Sequence, residues 1–307
     1  MDNKIKSIEA ILPPPASHMV GDGFKVHNFF PSNPIIGLNG MSPFFLLDYG
    51  SKWIVPPSDT PRGVGVHPHR GFETVTIAYH GKVAHHDSGG NSGVIGEGDV
   101  QWMTAGAGVL HKEYHEKEFS KKGGLFQMVQ LWINLPAKVK MTPAKYQSLE
   151  KKDLIKVFLD DGKSHVEVIA GEDDGKSHVE VIAGEYDEMK GPATTFSPVN
   201  LLNAKLLKGD KARFSFNKNY NTGMLVIEGE IRINDSETAP EDNLILFKHD
   251  GEDIVIEAVK QSIVLIMSGE PIREPIASYG PFVMNTEAEI KQAFDDFKNG
   301  KFGYLED

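Results

Sequence analysis

The chain has 307 residues, of which 40% are hydrophobic, so it is long enough for one large or two medium globular domains with a buried core. Its net charge of −11 argues against nucleic-acid binding through a basic face, because such binding draws affinity from cationic side chains that displace counterions from phosphates. The absence of cysteine excludes disulfides and thiolate chemistry, so a bound metal must be held by nitrogen and oxygen atoms.

The N-terminal stretch MDNKIKSIEAILPPPASHMV has no continuous apolar core followed by a small-residue cleavage site, so it is not expected to be a signal peptide. No apolar run elsewhere approaches the ~20 residues that a membrane helix requires. We therefore expect a soluble, cytoplasmic protein with neither a membrane nor a nucleic acid as a direct partner.

Short apolar or alternating runs follow one another along the chain, and each is bounded by glycine, proline, asparagine or aspartate. Many short strands with such turn signals are typical of sandwiches and barrels, which predicts an all-β fold. In chain order the runs are PFFLLDYG (43–50), ETVTIAYH (73–80), VQLWINL (129–135), GMLVIEGEIRIN (223–234), DNLILFKH (242–249), IVIEAV (254–259) and SIVLIMSG (262–269).

Two pairs of metal-competent side chains lie in the first half of the chain. His67 and His69 are two residues apart in HPHRGFE, and His111 and Glu113 have the same spacing in HKEYHEKE. Side chains at i and i+2 of a strand share one face about 7 Å apart, so the four groups converge if the two strands are neighbours. Pro68 cannot donate a ladder hydrogen bond and predicts a strand start or an edge strand here.

Three imidazoles and one carboxylate suit Fe²⁺, and also manganese, nickel, copper or zinc, and the sequence does not choose between them. Strand parity places Glu73 and His115 on the same faces as the two pairs, so either residue is an alternative to Glu113, and Glu73 is the stronger one. A single His-x-His pair is often structural, whereas two pairs favour a metal site. The remaining histidines of this region flank a glycine turn and are expected in solvent or behind the ligands: His80, His85 and His86.

The polar, poorly periodic segment TPAKYQSLEKKD marks a domain boundary near 145–155. We expect an N-terminal metal-binding domain at 1–150 and a C-terminal domain at 151–307.

Just after the boundary, DDGKSHVEVIAGE occurs at 160–172 and again, without a difference, at 173–185. Each copy holds one alternating strand, so the surplus copy is expected to form a protruding hairpin or loop, and its histidine at 165 or 178 is not expected to bind metal.

The second half repeats the strand and turn pattern of the first half without its histidine pairs. GMLVIEGEIRIND at 223–235 resembles VTIAYHGKVAHHD at 75–87, since both read as strand, glycine turn and strand. The lack of His-x-His predicts that the second domain holds no metal.

In the tail, Thr286 and Glu289 form a capping-box pattern and Gly300 suits a helix end, which predicts a helix at about 287–299. Its apolar stripe predicts a docking face.

Three long blocks of the sequence closely resemble the pirin family of the cupin superfamily: HPHRGFETVTIAYHGKVAHHDSGG, GDVQWMTAGAGVLHKEYHEKE and GEPIREPIASYGPFVMNTEAEIKQAF. The resemblance covers nearly the whole chain, and the copy at 173–185 departs from it as an insertion. It implies a bicupin, with two cupin-type β-barrels, a short C-terminal helix and one metal in the N-terminal barrel. The family's ligand pattern matches His67, His69, His111 and Glu113, and it leaves Glu73 outside the ligand set.

The resemblance also implies an activity, because bacterial-type pirins resemble quercetin 2,3-dioxygenases, which open a flavonol ring with O2 and release carbon monoxide. It implies one divalent metal ion, with Fe²⁺ expected and manganese, nickel, cobalt, copper or zinc as alternatives, and a small flavonol-like substrate. Glu113 would be the catalytic base, and the three histidines would act as ligands only. A non-enzymatic, metal- or redox-responsive regulator that binds a protein partner is the alternative.

The pocket for a flat aromatic needs walls, and the histidine ligands need acceptors for their second ring proton. Candidate walls are Trp102, Met103, Phe44 and Phe45, each of which is also a candidate for the barrel core. Candidate acceptors are Gln101 and Glu73.

Overall fold

The computed structural model describes residues 4–160, 163–165 and 175–306. The chain divides into two compact units. We call them the histidine unit (residues 15–39, 44–151 and 272–307) and the aliphatic unit (residues 1–14, 40–43 and 152–271).

These units differ from the contiguous domains 1–150 and 151–307 expected from the sequence. The change of unit between residues 151 and 152 lies within the expected boundary, but segments near both ends belong to the opposite unit. Residues 1–14 contribute a strand to the aliphatic unit, and residues 272–307 bring the C-terminal helix to the histidine unit. The reason is physical, since apolar periodicity shows that a segment has a face to bury but does not show which sheet will cover it.

Strands make up most of the regular structure, which confirms the all-β class. In the first half of the chain they are β1 (Ile8–Leu12), β2 (Ser17–Val20), β3 (Phe24–Phe30), β4 (Phe44–Val55), β5 (Gly63–His69), β6 (Phe72–His80), β7 (Val83–Asp87), β8 (Ser92–Ile95), β9 (Val100–Thr104), β10 (Val109–His115), β11 (Gly124–Asn134) and β12 (Lys145–Leu149). In the second half they are β13 (Ile155–Asp160), β14 (Lys163–His165), β15 (His178–Ala183), β16 (Glu185–Tyr186), β17 (Met189–Lys190), β18 (Val199–Leu206), β19 (Lys211–Ser215), β20 (Asn221–Glu228), β21 (Glu230–Ile233), β22 (Glu237–Pro240), β23 (Leu244–Phe247), β24 (Asp253–Ala258), β25 (Ser262–Gly269), β26 (Ala277–Tyr279) and β27 (Phe282–Met284).

The histidine unit contains a seven-stranded sheet of order β12-β9-β6-β11-β4-β3-β2 and a four-stranded sheet of order β5-β10-β7-β8. The strand pairs within these sheets are antiparallel. The C-terminal hairpin β26–β27 belongs to the same unit.

The aliphatic unit repeats this arrangement with an eight-stranded sheet, β1-β23-β20-β25-β18-β15-β13-β14, and a four-stranded sheet, β19-β24-β21-β22. One large cluster of buried aliphatic and aromatic side chains fills its interior, including Val226, Ile231, Ile233 and Phe214. Each of the apolar runs identified in the sequence contributes to a strand, because alternating side chains bury one face of each strand in these interiors.

The C-terminal helix α2 (Glu287–Lys298) confirms the predicted helix, since the Thr286–Glu289 capping box is present and Gly300 follows with φ +72°. Its apolar stripe docks on Phe282 and Phe302. A six-residue helix, α1 (Lys117–Lys122), was not expected, because it is too short to show periodicity. Two short 3₁₀ turns lie at Ala137–Val139 and Lys151–Asp153. Within the described ranges, no helix has the length and apolar character that a membrane span requires.

The two identical 13-residue copies take different places, and the expectation that 173–185 is the insertion needs correction. Residues 178–183 of the second copy form the buried strand β15, which lies between β13 and β18. Residues 163–165 of the first copy form the edge strand β14 on the other side of β13. Both His165 and His178 are register partners of Phe158, so the same histidine of the two copies lies on opposite sides of β13. Most of the expected protruding segment lies outside the described residues.

Candidate metal centre

The two sequence pairs lie on neighbouring strands, as the sequence analysis requires. His111 on β10 is directly opposite His67 on β5, and Val109 is opposite His69. A register irregularity between His111 and Glu113 follows. Strand β5 is the edge of its sheet, which confirms the position predicted from Pro68.

The three imidazoles meet in one group. Ligand-type atoms of His67, His69 and His111 all lie within 4.8 Å of one another. Their ring centroids are 4.2 to 4.8 Å apart, and the rings are tilted or perpendicular, so the histidines do not stack as a simple aromatic cluster.

Backbone carbonyls orient two of the rings. Nδ1 of His67 lies 2.8 Å from the Gly65 oxygen, and Nδ1 of His69 lies 3.4 Å from the Pro281 oxygen. A proton on each Nδ1 donates to its carbonyl and leaves the Nε2 lone pair for a ligand bond. The predicted acceptors act elsewhere, since Gln101 contacts His85 and Glu73 accepts from Thr104.

His111 is fully buried, and neither of its ring nitrogens has a hydrogen-bond partner among the described residues. Burial and then the neighbouring His69 and His67 hold the pKa of His111 well below its usual range, and burial likewise lowers the pKa of His69. These rings are therefore neutral at pH 7, which is the form that binds metal. A buried polar atom without a partner is costly, and a metal ion would satisfy it, so the residues present fit a metal ion.

Glu113 is held in place by two hydrogen bonds. Its Oε2 accepts from Nε2 of Gln130 at 2.9 Å, and its Oε1 accepts from the Thr76 hydroxyl at 3.3 Å. Its carboxylate forms a second group with His85 and His111, again with ligand-type atoms within 4.8 Å. The four predicted ligands are thus distributed over two overlapping groups that share His111.

His85 is a member of the second potential ligand group, although it was not predicted as a ligand. Of its two expected positions, in solvent or behind the ligands, the first is wrong, because its side chain is fully buried and lies opposite Glu113 across β7 and β10. Its Nδ1 is 3.1 Å from Nε2 of Gln101, and its Nε2 is 3.5 Å from Oδ2 of Asp87. The alternation of Val83, His85 and Asp87 along β7 is the signal that could have identified it.

The two alternatives to Glu113 lie apart from both groups. Glu73 accepts a hydrogen bond from Thr104 at 2.7 Å, and burial raises its pKa to about 7. His115 packs against the rings of Phe24 and Phe126, and burial lowers its pKa to about 4. Neither residue is a member of a potential ligand group in the described structure.

A cavity of about 230 Å³ adjoins the imidazoles. It is lined by Val20, Phe24, Val26, Asp48, Val64, His67, His69, Val83, Glu113, Met128, Gln130, Trp132, Gly280 and Pro281. The expected walls Trp102, Met103, Phe44 and Phe45 are not among these residues, and all four are buried in the core. The actual aromatic walls are Phe24 and Trp132.

Comparison with known proteins places both halves of the chain. Residues 23–133 match the family model of pirin, and residues 201–303 match that of the pirin C-terminal cupin domain. A Pseudomonas aeruginosa protein named "Putative quercetin 2,3-dioxygenase" is 44% identical over 285 residues, covering 93% of this chain and 94% of that protein. A pirin-like protein of Solanum lycopersicum is 37% identical over 270 residues, with 87% and 84% of the two chains covered.

Solved structures agree with this result. A crystal structure of quercetin 2,3-dioxygenase from Acinetobacter baumannii is 46% identical and superposes with a TM-score of 0.88 over 99% of this chain and 100% of that one. The bacterial pirin YhhW of Escherichia coli, solved in complex with nickel(II), is 20% identical with a TM-score of 0.62, over 87% of this chain and 100% of its own, and supports the fold alone. The chain therefore belongs to the pirin family, and its two units are cupin domains.

Proposed function

We propose that this chain is a metal-dependent dioxygenase that opens the central ring of a flavonol-like substrate with O2 and releases carbon monoxide. The observation that carries the proposal is that His67, His69 and Glu113 line one largely apolar cavity, and that His111 groups with the two histidines and also with Glu113. The names of the relatives from Pseudomonas aeruginosa and Acinetobacter baumannii support the same activity.

His67, His69, His111 and Glu113 would hold one divalent ion, with Fe²⁺ expected and manganese, nickel, cobalt, copper or zinc as alternatives. When bound, such an ion stabilises the anion of a substrate hydroxyl and brings the electron-rich substrate and O2 together. The carbonyls of Gly65 and Pro281 fix the orientation of two of these rings, so the ligand nitrogens do not have to be ordered when the ion binds.

The chain's own residues supply the remaining functions. Phe24, Met128 and Trp132 form apolar walls that can seat a flat ring and exclude water. Glu113 is the candidate base, because its carboxylate borders the cavity and can accept the proton of the substrate hydroxyl. Gln130 and Thr76 hold that carboxylate in position through one hydrogen bond each.

The test is aerobic turnover of quercetin by protein that has been loaded with Fe²⁺ under anaerobic conditions. We expect loss of the flavonol absorbance together with one carbon monoxide per substrate consumed. The Glu113→Gln variant should lower kcat by roughly 100-fold or more, within the ~10²–10⁴-fold range of general acid–base catalysis. Absence of turnover with iron, manganese, nickel, cobalt and copper would count against the dioxygenase and favour the regulator.

A further inference from the structure

The cavity next to the imidazoles has one ionisable side chain for which the proposed metal centre gives no role. Most of its lining is apolar, and His67, His69 and Glu113 are candidate ligands. Gln130 donates to Glu113. The remaining ionisable side chain is Asp48. Binding cavities commonly use a few placed polar groups on apolar walls to orient a ligand.

Asp48 belongs to a polar row that crosses four strands of the seven-stranded sheet. It is the register partner of Asn28 on β3 and of Gln130 on β11, and Gln130 is in turn opposite Thr76 on β6. Register partners point to the same face of a sheet. Gln130 and Thr76 both contact Glu113, so Asp48 lies about one strand spacing, ~4.8 Å, beyond Gln130 on the side away from Thr76.

The Asp48 carboxyl retains hydrogen-bonding capacity. Its Oδ1 accepts from Nδ2 of Asn28 at 2.7 Å, and no other hydrogen bond to this carboxyl is present in the described structure. The residue is 8% exposed, and burial raises its pKa, with Asn28 and His18 acting in the opposite direction. A carboxyl group can accept hydrogen bonds at both oxygens, so Oδ2 of this cavity-lining residue remains available for a donor.

We propose that Asp48 determines substrate specificity by accepting a hydrogen bond from a second hydroxyl group of a planar, polyhydroxylated aromatic substrate. The inference rests on the proposed function, because it assigns the other end of that substrate to the metal centre. A site with a buried hydrogen-bonding group discriminates strongly against an analogue without the matching hydroxyl, since the group is then left unpaired. The cavity therefore selects aromatics that carry hydroxyls at two separated positions.

The decisive measurement compares kcat/KM for quercetin with kcat/KM for 3-hydroxyflavone, which lacks the additional hydroxyls. We expect the wild-type protein to favour quercetin by at least ~10-fold, the effect of about 1.4 kcal/mol, and expect Asp48→Ala to bring the ratio close to one. Asp48→Asn keeps a carbonyl acceptor and should retain part of the preference. Asn28→Ala is the matched control, because it removes the Asn28–Asp48 hydrogen bond but keeps the carboxyl group, so the ratio should persist.

Three results would overturn the assignment: a wild-type protein without a preference, an Asp48→Ala variant that keeps the preference, or an Asn28→Ala variant that loses the preference as fully as Asp48→Ala. Loss of the preference in Asn28→Ala would show that Asp48 only stabilises the pairing of β3 with β4 through its hydrogen bond to Asn28. The dioxygenase proposal and the Asp48 proposal are separated by a binding experiment that needs no turnover. Tryptophan fluorescence of the zinc-loaded protein measures the dissociation constants of both flavonols. If no metal gives turnover, the dioxygenase proposal fails, and the same four proteins still decide Asp48 by the ratio of the two dissociation constants.

Discussion

The segments 75–87 and 223–235 have the same strand–turn–strand backbone but lie in two units whose interiors differ. The first runs through β6 and β7 in the histidine unit, and the second through β20 and β21 in the aliphatic unit. Each turns at a glycine with almost the same left-handed φ, +83° at Gly81 and +82° at Gly229. A Cβ at Gly229 would lie 2.2 Å from the Gln261 oxygen, so the turn requires glycine there.

The side chains at matched positions decide what each interior holds. His85 of the first segment corresponds to Ile233 of the second, and Thr76 corresponds to Met224. Ile233 and Met224 are fully buried in the aliphatic cluster. His85 and Thr76 instead face Glu113 and its polar surroundings. An aliphatic set can fill its interior by dispersion contacts, whereas a set of imidazoles and carboxylates leaves polar atoms that a ligand must satisfy.

The largest effect is expected from removing the histidine that both potential ligand groups share, because this should abolish the difference in metal binding between the two units. We expect His111→Ala to lower metal affinity by more than the ~10–100-fold that is typical for residues that only orient a ligand. The measurement is metal content after equilibrium dialysis against a dilute chelator. His86→Ala is the control, because His86 on the same sheet contacts the Tyr114 hydroxyl and belongs to neither group. Full metal content in His111→Ala would contradict the proposed centre.

A truncation in the filled interior should be the next largest effect. Ile233→Ala is expected to lower the free energy of unfolding by about 2–5 kcal/mol, because it leaves a void in a close-packed cluster. Val64 borders the existing cavity of the histidine unit, so Val64→Ala should lower the free energy of unfolding by only about 1 kcal/mol. Chemical denaturation of the two variants checks this contrast, and equal losses would show that both interiors are packed alike.

A buried carboxyl in the histidine unit should make stability depend on pH. Burial raises the pKa of Glu73 to about 7, so the folded state holds this proton more tightly than the unfolded state. Its contribution is present in full below pH ~4.5 and is lost as the pH rises to about 7. Glu73 lies two residues before the first segment, and the corresponding residue before the second segment is the neutral Asn221.

Glu73→Gln removes the charge and keeps an acceptor for Thr104. Relative to wild type, we expect it to gain up to about 3 kcal/mol of unfolding free energy at pH 8 and little at pH 5. Urea titrations at both pH values check the result. Glu9→Gln, at an exposed position of β1, should be neutral at both. A larger gain at pH 5 than at pH 8 would have the wrong sign for this explanation.

The smallest expected effect concerns the duplicated strand of the aliphatic unit. Removing one 13-residue copy gives the same chain whichever copy is removed, and it restores a two-residue Asp-Gly connection, which favours a tight hairpin. The shorter loop should stabilise the protein by about 1 kcal/mol, or ~2–4 °C in Tm, without changing metal content. Calorimetry and metal analysis check this, and a deletion variant that does not fold would show that both copies are required.

Local pattern was sufficient for much of the candidate site. The i, i+2 spacing placed the pairs His67–His69 and His111–Glu113 each on one strand, and Pro68 indicated the edge position of β5. The Thr286–Glu289 capping box and Gly300 bounded the helix. These features depend only on the geometry of a single strand or helix, which residues close in sequence determine.

Only the tertiary structure decided which strands and segments became neighbours. It placed β7 beside β10 and so brought His85 to Glu113, and it chose Trp132 over Trp102 as a cavity wall. In several strands of these sheets both faces are buried, so alternation does not distinguish the cavity side from the core side. Either of the two identical copies could form the strand between β13 and β18, and identical sequences have identical local preferences. Long-range pairing alone selects residues 178–183 for the interior of the sheet.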